Sequence, residues 1–212
     1  MTAKPTGFLD YKTLRRVVGT LGVALPVIVA VWGFLLVGRL ELQSSISDYY
    51  GLRTRDVLVG TLFTIAWFFY AYSPYKGDPD DVAGNWACVF ALGVALFPSN
   101  GTGWDPVLHF ASALGLFLVL SYFSLFLFTR SGATRTPEKE TRNFIYRFCG
   151  VTILVCICSI GIYYWLLQGT SLAALKPVFW LEAAALWAFG IAWAVKGETI
   201  FQDPRPTPTA QT

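Results

Sequence analysis

Charged residues and histidine are both scarce in this sequence. Asp, Glu, Lys and Arg make up 14% of the 212 residues, whereas a typical soluble domain carries about 25%. Hydrophobic residues make up 55% of the chain, so the composition indicates a membrane protein before any segment is considered. The net charge of +3 is too small to predict a nucleic-acid partner.

His109 is the only histidine, and this scarcity excludes several kinds of site. A zinc site built from three histidines and a haem held by two histidines each need more imidazole ligands than the chain has. The G-x-S-x-G motif of serine hydrolases and the H-E-x-x-H motif of zinc proteases are also absent. One histidine with carboxylates can still bind a metal, but we predict neither a metal site nor a cofactor.

The cysteines do not follow a disulfide or metal-binding pattern. All of them lie within or beside apolar stretches, and no two are spaced as Cys-x-x-Cys. We therefore expect them to pack as small apolar residues. They are Cys88, Cys149, Cys156 and Cys158.

Six apolar stretches are long enough, or nearly so, to cross a hydrocarbon core that needs about 20 helical residues. They are continuously apolar rather than alternating, which excludes barrel strands. We predict an all-α polytopic membrane protein, a bundle of six transmembrane helices in one domain over 1–200, followed by a disordered Pro/Thr-rich tail at 201–212. The predicted spans are Val17–Gly38, Val57–Tyr72, Val82–Phe97, Pro106–Phe128, Phe148–Leu167 and Pro177–Val195.

The distribution of Lys and Arg predicts the orientation of the bundle. With six spans, twelve of these residues fall on the side of the termini and four on the other side. The positive-inside rule then places both termini in the cytoplasm, in a multi-pass protein of the cell membrane, by our prediction the bacterial inner membrane. The polar, basic stretch 129–147 becomes the longest cytoplasmic loop. Residues 44–56, 98–105 and 168–176 face the opposite side.

The first of these outer loops, "SSISDYYGLRTRD" over residues 44–56, is unusually polar for so apolar a chain. Arg53 and Arg55 can bind phosphate or carboxylate groups in a forked geometry, and Ser47 and Asp48 add hydrogen-bonding groups. The alternative is that the arginines extend to the membrane interface and form ion pairs within the loop.

Glu182 is the most informative single residue. It follows Pro177 by five positions, which places it about 7–8 Å into the last helix. An ionisable group at such a depth costs roughly 2–3 kcal/mol and normally faces protein or water. We expect either a ligand-contacting or proton-carrying carboxylate, or a structural partner for an arginine or a helix end.

His109 lies in the first turn of the fourth helix, three residues after Pro106. It is a candidate general base or metal ligand, with a purely structural hydrogen-bonding role near the interface as the alternative. Helices two, four and six begin on the same side, so Asp56, His109 and Glu182 lie at comparable depth. If they face one another, they form a polar pocket beneath the 44–56 loop.

Several stretches resemble a group of bacterial six-helix integral membrane proteins, classed as a domain of unknown function of the nine-nine-eight type. They are "SISDYYGLRTRDVLVG", "NWACVFALGVALFPSN", "LHFASALGLFLVLSYFSLFLF", "RNFIYRFCG" and "FWLEAAALWAFGIAWAVKGE". The "SISDYYG" loop also resembles the FRAG/DRAM/SFK membrane family, which implies a link to lipid remodelling. Ser47, Asp48 and His109 match part of the site of membrane ceramidase-like hydrolases, but those have seven helices and three zinc-binding histidines.

Three functions remain open. The first is binding of a lipid or anionic amphiphile in an outward-facing polar pocket between helices two, four and six, with Ser47, Asp48, Arg53, Arg55, His109 and Glu182 as ligand contacts. The second is an enzyme acting on a lipid, in which Asp48 or Glu182 works with His109. The third is a proton-coupled transporter with Glu182 as the carrier. Membrane lipids are the expected partners, and the sequence leaves open whether copies of the chain form a homo-oligomer.

Overall fold

The computed structural model describes residues 11–37, 42–72, 77–130 and 136–197, and this part of the chain contains helices and no strand. The all-α prediction is therefore confirmed, whereas the predicted tail at 201–212 lies outside the described residues. Short π-helical turns extend α4 to Leu127 and α5 to Leu167. The helices are α1 Tyr11–Val37, α2 Arg55–Tyr70, α3 Pro79–Leu96, α4 Asp105–Tyr122, α5 Pro137–Ile162 and α6 Pro177–Lys196.

Four of these six helices are long and apolar enough to cross a membrane. They are α1, α6, and α4 and α5 with their π-helical extensions. The other two, α2 and α3, have 16 and 18 residues, which at 1.5 Å per residue gives only about 24–27 Å. The chain is thus a helical bundle with at least these four candidate membrane spans among the described residues.

Helix α5 begins at Pro137, well before the predicted span at Phe148. The prediction of a loop through residue 147 is wrong because a polar sequence can still be helical. Thr136 caps the helix by accepting a hydrogen bond from the Lys139 amide at 3.3 Å. Proline in the first turn and Glu138 near the positive end of the helix dipole complete a start signal that hydropathy does not register.

Two other helix starts differ in detail from the sequence prediction. Helix α4 begins at Asp105 itself, after Trp104, rather than using Asp105 as its cap. Thr54 does precede α2, but its backbone is already helical and its side chain does not cap the helix. The Thr54 hydroxyl instead donates to the carbonyl of Tyr49 at 2.9 Å, which ties the loop before α2 to the helix start.

Helix α6 is the central helix of the bundle. It packs against both α1 and α5, while α2, α3, α4 and α5 pack in chain order. In its span 61% of the residues are buried, compared with 22–39% in the other three candidate spans. At the α1–α6 crossing, a Cβ on Gly19 would lie 2.9 Å from the Gly190 carbonyl oxygen. The two backbones can approach this closely only because both residues are glycine.

Two buried apolar clusters fill the interior. One lies under the 44–56 loop and contains Leu25, Val29, Tyr49 and Phe179. The other contains aromatic side chains that pack around Trp193 near the end of α6. Many large apolar residues point outward instead, as expected for helices that contact lipid rather than water; among them are Leu35, Trp67, Val89, Phe126 and Val155.

Candidate functional site

The 44–56 loop is folded onto the end of the bundle. Residues Ser47–Gly51 form a 3₁₀ turn whose two tyrosines are buried. Tyr49 packs so tightly against Gly33 of α1 that a Cβ there would lie 2.8 Å from Tyr49 Cε1. Burial raises the pKa of the Tyr49 hydroxyl, opposed by a hydrogen bond from the Gln43 amide. Tyr49 therefore remains a neutral anchor for the loop.

Two hydrogen bonds in opposite directions dock this loop onto the start of α6. The Phe179 amide, in the first turn after Pro177, has no partner within the helix, and it donates to the Ser44 carbonyl at 3.0 Å. In return, Glu182 Oε2 accepts a hydrogen bond from the Ile46 amide at 2.6 Å. The Ser47 amide is a second hydrogen-bonding neighbour of the same carboxylate. Glu182 thus caps the 3₁₀ turn from across the bundle.

His109 on α4 completes the contact with the loop. Its side chain is 1% exposed. Nδ1 lies 2.7 Å from the Phe97 carbonyl oxygen, and Nε2 lies 2.9 Å from Ser47 Oγ. Since a carbonyl can only accept, Nδ1 carries the proton, and Nε2 of the neutral ring accepts from the Ser47 hydroxyl. The structure therefore brings Ser47, His109 and Glu182 together.

Asp48 lies at the edge of this cluster. Its amide donates to Ser45 Oγ at 3.0 Å, which orders the loop ahead of the 3₁₀ turn. Its carboxylate is within electrostatic range of His109, Tyr164 and Glu182. Asp48 is thus an acidic neighbour of both the imidazole and the Glu182 carboxylate.

Arg53 and Arg55 lie apart from Glu182 and His109. Both side chains are exposed. The Arg55 guanidinium lies over the Tyr50 ring, 4.6 Å from its centroid, and donates to the Tyr50 hydroxyl at 3.0 Å. Asp56 is also exposed, so the pocket that was expected to include it is built without it.

Two cavities meet at Glu182. The larger, of about 180 Å³, is a cleft between α4, α5 and α6. Most of its lining is apolar, and its polar groups come from Ser45, Tyr164 and Glu182. The smaller, of about 50 Å³, shares Glu182 with the cleft and is also lined by Ser47 and by apolar residues of five helices. Helix α5 thus lines the larger cleft together with α4 and α6, whereas the sequence predicted a pocket between α2, α4 and α6.

Ser45, Tyr164 and the Phe97 carbonyl are parts of the site that the sequence did not predict. A backbone carbonyl has no side-chain signature, so Phe97 could not have been found. Tyr164 lies in the π-helical turn Tyr163–Leu167. Such turns often occur at functional sites, but the sequence "YYWLL" reads simply as apolar helix.

No metal centre is evident in the described ranges, where no group of three or more His, Cys, Asp or Glu side chains is placed to hold an ion. The four cysteines are free thiols, and three of them are buried. The polar side chains that the described site contains are the Glu182 carboxylate held by amides, the oriented His109 imidazole, the Ser47 hydroxyl and the nearby Asp48 carboxylate. No protein-family model, curated protein or solved structure matches this chain.

Proposed function

We propose that this chain is a membrane protein that binds one lipid or lipid-like amphiphile in the cleft between α4, α5 and α6. The observation that carries the proposal is the shape and polarity of that cleft, which is apolar except where Ser45, Tyr164 and Glu182 line it. Ligand sites of this kind combine an apolar lining with a few converging polar groups. The acyl chain would occupy the apolar part, and the head group would contact Glu182.

The proposed topology has six spans with both termini in the cytoplasm of a bacterial cell. Short α2 and α3 can take part because other segments cover their ends; for example, the Tyr50 hydroxyl donates to the carbonyl of Leu96 at the end of α3. The end of the bundle where α1 begins and α6 ends contains several basic residues, namely Arg15, Arg16, Arg142 and Lys196. This charge supports a cytoplasmic assignment for that end, and the cleft then faces the outer leaflet.

The side chains in the cleft favour a particular class of head group. An anionic head group would meet the Glu182 carboxylate, with Asp48 in electrostatic range of it. Arg53 and Arg55 do not line the cleft and supply no counter-charge there. A head group that donates hydrogen bonds, such as a hydroxyl or an ammonium, matches these acceptors. The proposal therefore replaces the anionic amphiphile expected from the sequence with a neutral or cationic one.

The size of the cleft limits how much of the ligand it encloses. A volume of about 180 Å³ is below the roughly 300–1,000 Å³ of pockets that enclose a drug-sized molecule. The head group and the first part of one acyl chain would be enclosed. The remainder would lie along exposed apolar residues of the cleft such as Phe110 and Leu114.

Two glycines allow a matched test of this function. Gly161 lines the cleft, and a Cβ at this position would meet no atom within 4 Å. Gly161→Leu should therefore fill the cleft without disturbing the backbone. Gly60 on α2 has the same open surroundings but lies outside the cleft, so Gly60→Leu is the control.

The measurement is native mass spectrometry of the purified protein, incubated in turn with a monoacylglycerol, a lysophosphatidylethanolamine and a lysophosphatidylglycerol of equal chain length. We expect one bound monoacylglycerol or lysophosphatidylethanolamine in the wild type and in Gly60→Leu, and loss of it in Gly161→Leu. Equal retention by Gly161→Leu would overturn the proposal.

A second candidate function is hydrolysis of a lipid ester, and one observation favours it. The Ser47 hydroxyl donates to His109 Nε2, and the Phe97 carbonyl orients the ring from the other nitrogen. A covalent hydrolase requires a nucleophile, a base and an orienting group in this order, and these three groups would supply them. His109 would take the Ser47 proton as Oγ attacks the ester carbonyl, and would then protonate the departing alcohol. A water activated by His109 would release the acyl group from Ser47.

A fluorophosphonate probe distinguishes this candidate from a purely binding function. If Ser47 is a nucleophile, the probe should label the wild type and should fail to label Ser47→Ala and His109→Ala. Ser112→Ala is the control, since that hydroxyl lies on the same helix as His109 without being placed to bond its ring. Absence of labelling in the wild type removes the hydrolase candidate and leaves the binding function untouched.

A further inference from the structure

The end of the bundle opposite the 44–56 loop contains three hydrogen-bond donors that lack an acceptor. They are the Arg15 Nε, Tyr72 hydroxyl and Trp193 Nε1 groups, all inaccessible to solvent and without an acceptor in hydrogen-bond geometry in the described part of the chain. The hydrogen-bonding neighbour of the Tyr72 hydroxyl is Arg15, which is itself a donor. Tyr72 is 2% exposed and Trp193 is 0% exposed. Buried donors of this kind are rare in folded proteins, and each one requires an explanation.

These three side chains come from different helices and meet at one place. The Tyr72 and Trp193 ring centroids are 4.9 Å apart, and the Arg15 guanidinium carbon lies 5.2 Å from the Tyr72 centroid. Arg15 belongs to α1, Tyr72 follows α2 and Trp193 belongs to α6. Their convergence is therefore a property of the folded bundle rather than of one local sequence.

The three groups cannot satisfy one another. Trp and Arg side chains have donors and no acceptor. The Tyr72 hydroxyl can accept from Arg15, but its own proton still needs an acceptor. The missing partner must therefore supply acceptor atoms in several directions, which is the property of an oxyanion or of ordered water.

Positive charge surrounds these donors. Lys196 lies in the last turn of α6, within electrostatic range of Arg15, Lys139, Arg142 and Asp80. Arg142 is 6% exposed, so this charge is partly withdrawn from solvent. Two carboxylates, Asp78 and Asp80, lie within electrostatic range of the Tyr72 hydroxyl, and Asp80 is engaged by Arg130 at 3.5 Å. Over this end of the bundle as a whole, the cations still outnumber these two carboxylates, which favours an anion over water.

The geometry points to a binding site for one phosphate group between α1, α2 and α6, with Arg15, Tyr72 and Trp193 as hydrogen-bond donors and Lys196 as a counter-charge. A phosphate offers several strong acceptor oxygens and forms charge-assisted hydrogen bonds with such donors. The phosphate can belong to a phospholipid head group of the adjacent leaflet or be free inorganic phosphate. This site is independent of the cleft at Glu182 and of the function proposed for it.

Two conservative variants and one control test the site. Tyr72→Phe removes one donor and keeps the ring in place, and Arg15→Lys keeps the charge but removes the Nε–H group. Tyr122→Phe is the control, because Tyr122 lies on the outer face of α4 and is 41% exposed. A hydrogen bond to a charged group contributes enough that its removal should weaken binding roughly tenfold or more.

The full-length chain in a nonionic detergent is titrated at constant ionic strength with inorganic phosphate and, separately, with a short-chain phosphatidylglycerol. Thermal unfolding reports binding, and diacylglycerol of equal chain length shows the effect of the acyl groups alone. We expect saturable stabilisation of the wild type and of Tyr122→Phe, weakened roughly tenfold in each site variant. Stabilisation by both compounds identifies free phosphate as sufficient, and stabilisation by the phospholipid alone identifies a head-group site.

Two results would overturn the proposal of a phosphate site. In the first, neither phosphate compound stabilises the wild type beyond diacylglycerol. In the second, Tyr72→Phe and Arg15→Lys respond to both compounds as the wild type does. Either result would mean that ordered water satisfies the three donors.

Discussion

Glu182 on α6 accepts a 2.6 Å hydrogen bond from the backbone amide of Ile46, at the start of the 3₁₀ turn in the 44–56 loop. A carboxylate within an apolar helix is thereby joined to a loop that comes 136 residues earlier in the chain. The contact explains why this helix tolerates an ionisable residue, since the amides of the loop replace water as its partners. The same carboxylate lines both cavities, so it serves the loop and the cleft together.

Removal of this carboxylate should release the loop. Glu182→Leu would leave the Ile46 amide without an acceptor, at a cost of about 1–3 kcal/mol. Hydrogen exchange at residues 46–51 should then become roughly tenfold faster or more. Exchange in the part of α6 that follows residue 186 should stay unchanged. Glu182→Gln keeps one acceptor oxygen and should have a smaller effect. Exchange in Glu182→Leu that equals the wild type would show that the hydrogen bond does not hold the loop.

The protonation of His109 can be read directly, because the chain has one histidine. The contacts with Phe97 and Ser47 place the proton on Nδ1 and leave Nε2 as an acceptor. Nitrogen-15 NMR of histidine-labelled protein should show this tautomer at neutral pH. Ser47→Ala should move the Nε2 signal and leave Nδ1 in place. Thr64→Ala should move neither, because the Thr64 hydroxyl bonds the Gly60 carbonyl within α2. A proton found on Nε2 would contradict the assigned hydrogen bonds.

Packing of Tyr49 against Gly33 should be sensitive to a single methyl group. In Gly33→Ala the added Cβ would lie 2.8 Å from a tyrosine ring that is 1% exposed, and overpacking of this kind costs about 1–3 kcal/mol. Gly60→Ala adds the same methyl group to open space and should stabilise α2 by up to about 1 kcal/mol. Thermal unfolding of the two variants should therefore shift in opposite directions. A Gly33→Ala protein as stable as the wild type would show that the loop packs loosely.

The proposed orientation predicts which residues are reached from each side of the membrane. Asn100 is exposed in the turn between α3 and α4, and Glu138 lies in the first turn of α5. In a Cys158→Ser background, a membrane-impermeant thiol reagent applied to intact cells should label Asn100→Cys and spare Glu138→Cys. Inverted membrane vesicles should give the opposite result. The proposed orientation places one span, α4, between the two residues. Labelling of both residues from the same side would contradict it, because an even number of spans would then separate them.

The sequence was sufficient to predict the six helices and to place Glu182 within the last of them. Continuous apolar stretches mark buried or membrane-facing helices whatever their partners are, and Pro177 fixes where α6 begins. The polar first turns of α5 were missed because hydropathy was given more weight than the capping residues at Thr136 and Pro137. A helical segment with a polar sequence has no hydropathy signal.

The composition of the site was only partly predictable, for a physical reason. Ser47, His109 and Glu182 were recognised because their side chains are polar in an apolar chain. Their actual partners are the Ile46 amide and the Phe97 carbonyl, which every residue type possesses. The separation of Arg55 from Glu182 depends on the Tyr50 ring beneath its guanidinium. Such a choice between two partners depends on tertiary geometry.

The cleft between α4, α5 and α6 has a consequence for how affinity is to be measured. Its lining includes Phe110, Leu114 and Gly161, which are exposed on the flank of the bundle. Under the proposed function, a molecule that reaches Glu182 by this route would arrive laterally, by diffusion within the plane of the bilayer. Its effective concentration is then a mole fraction among the surrounding lipids rather than a molarity in water. Occupancy would follow membrane composition, and dilution of the aqueous phase would leave it unchanged.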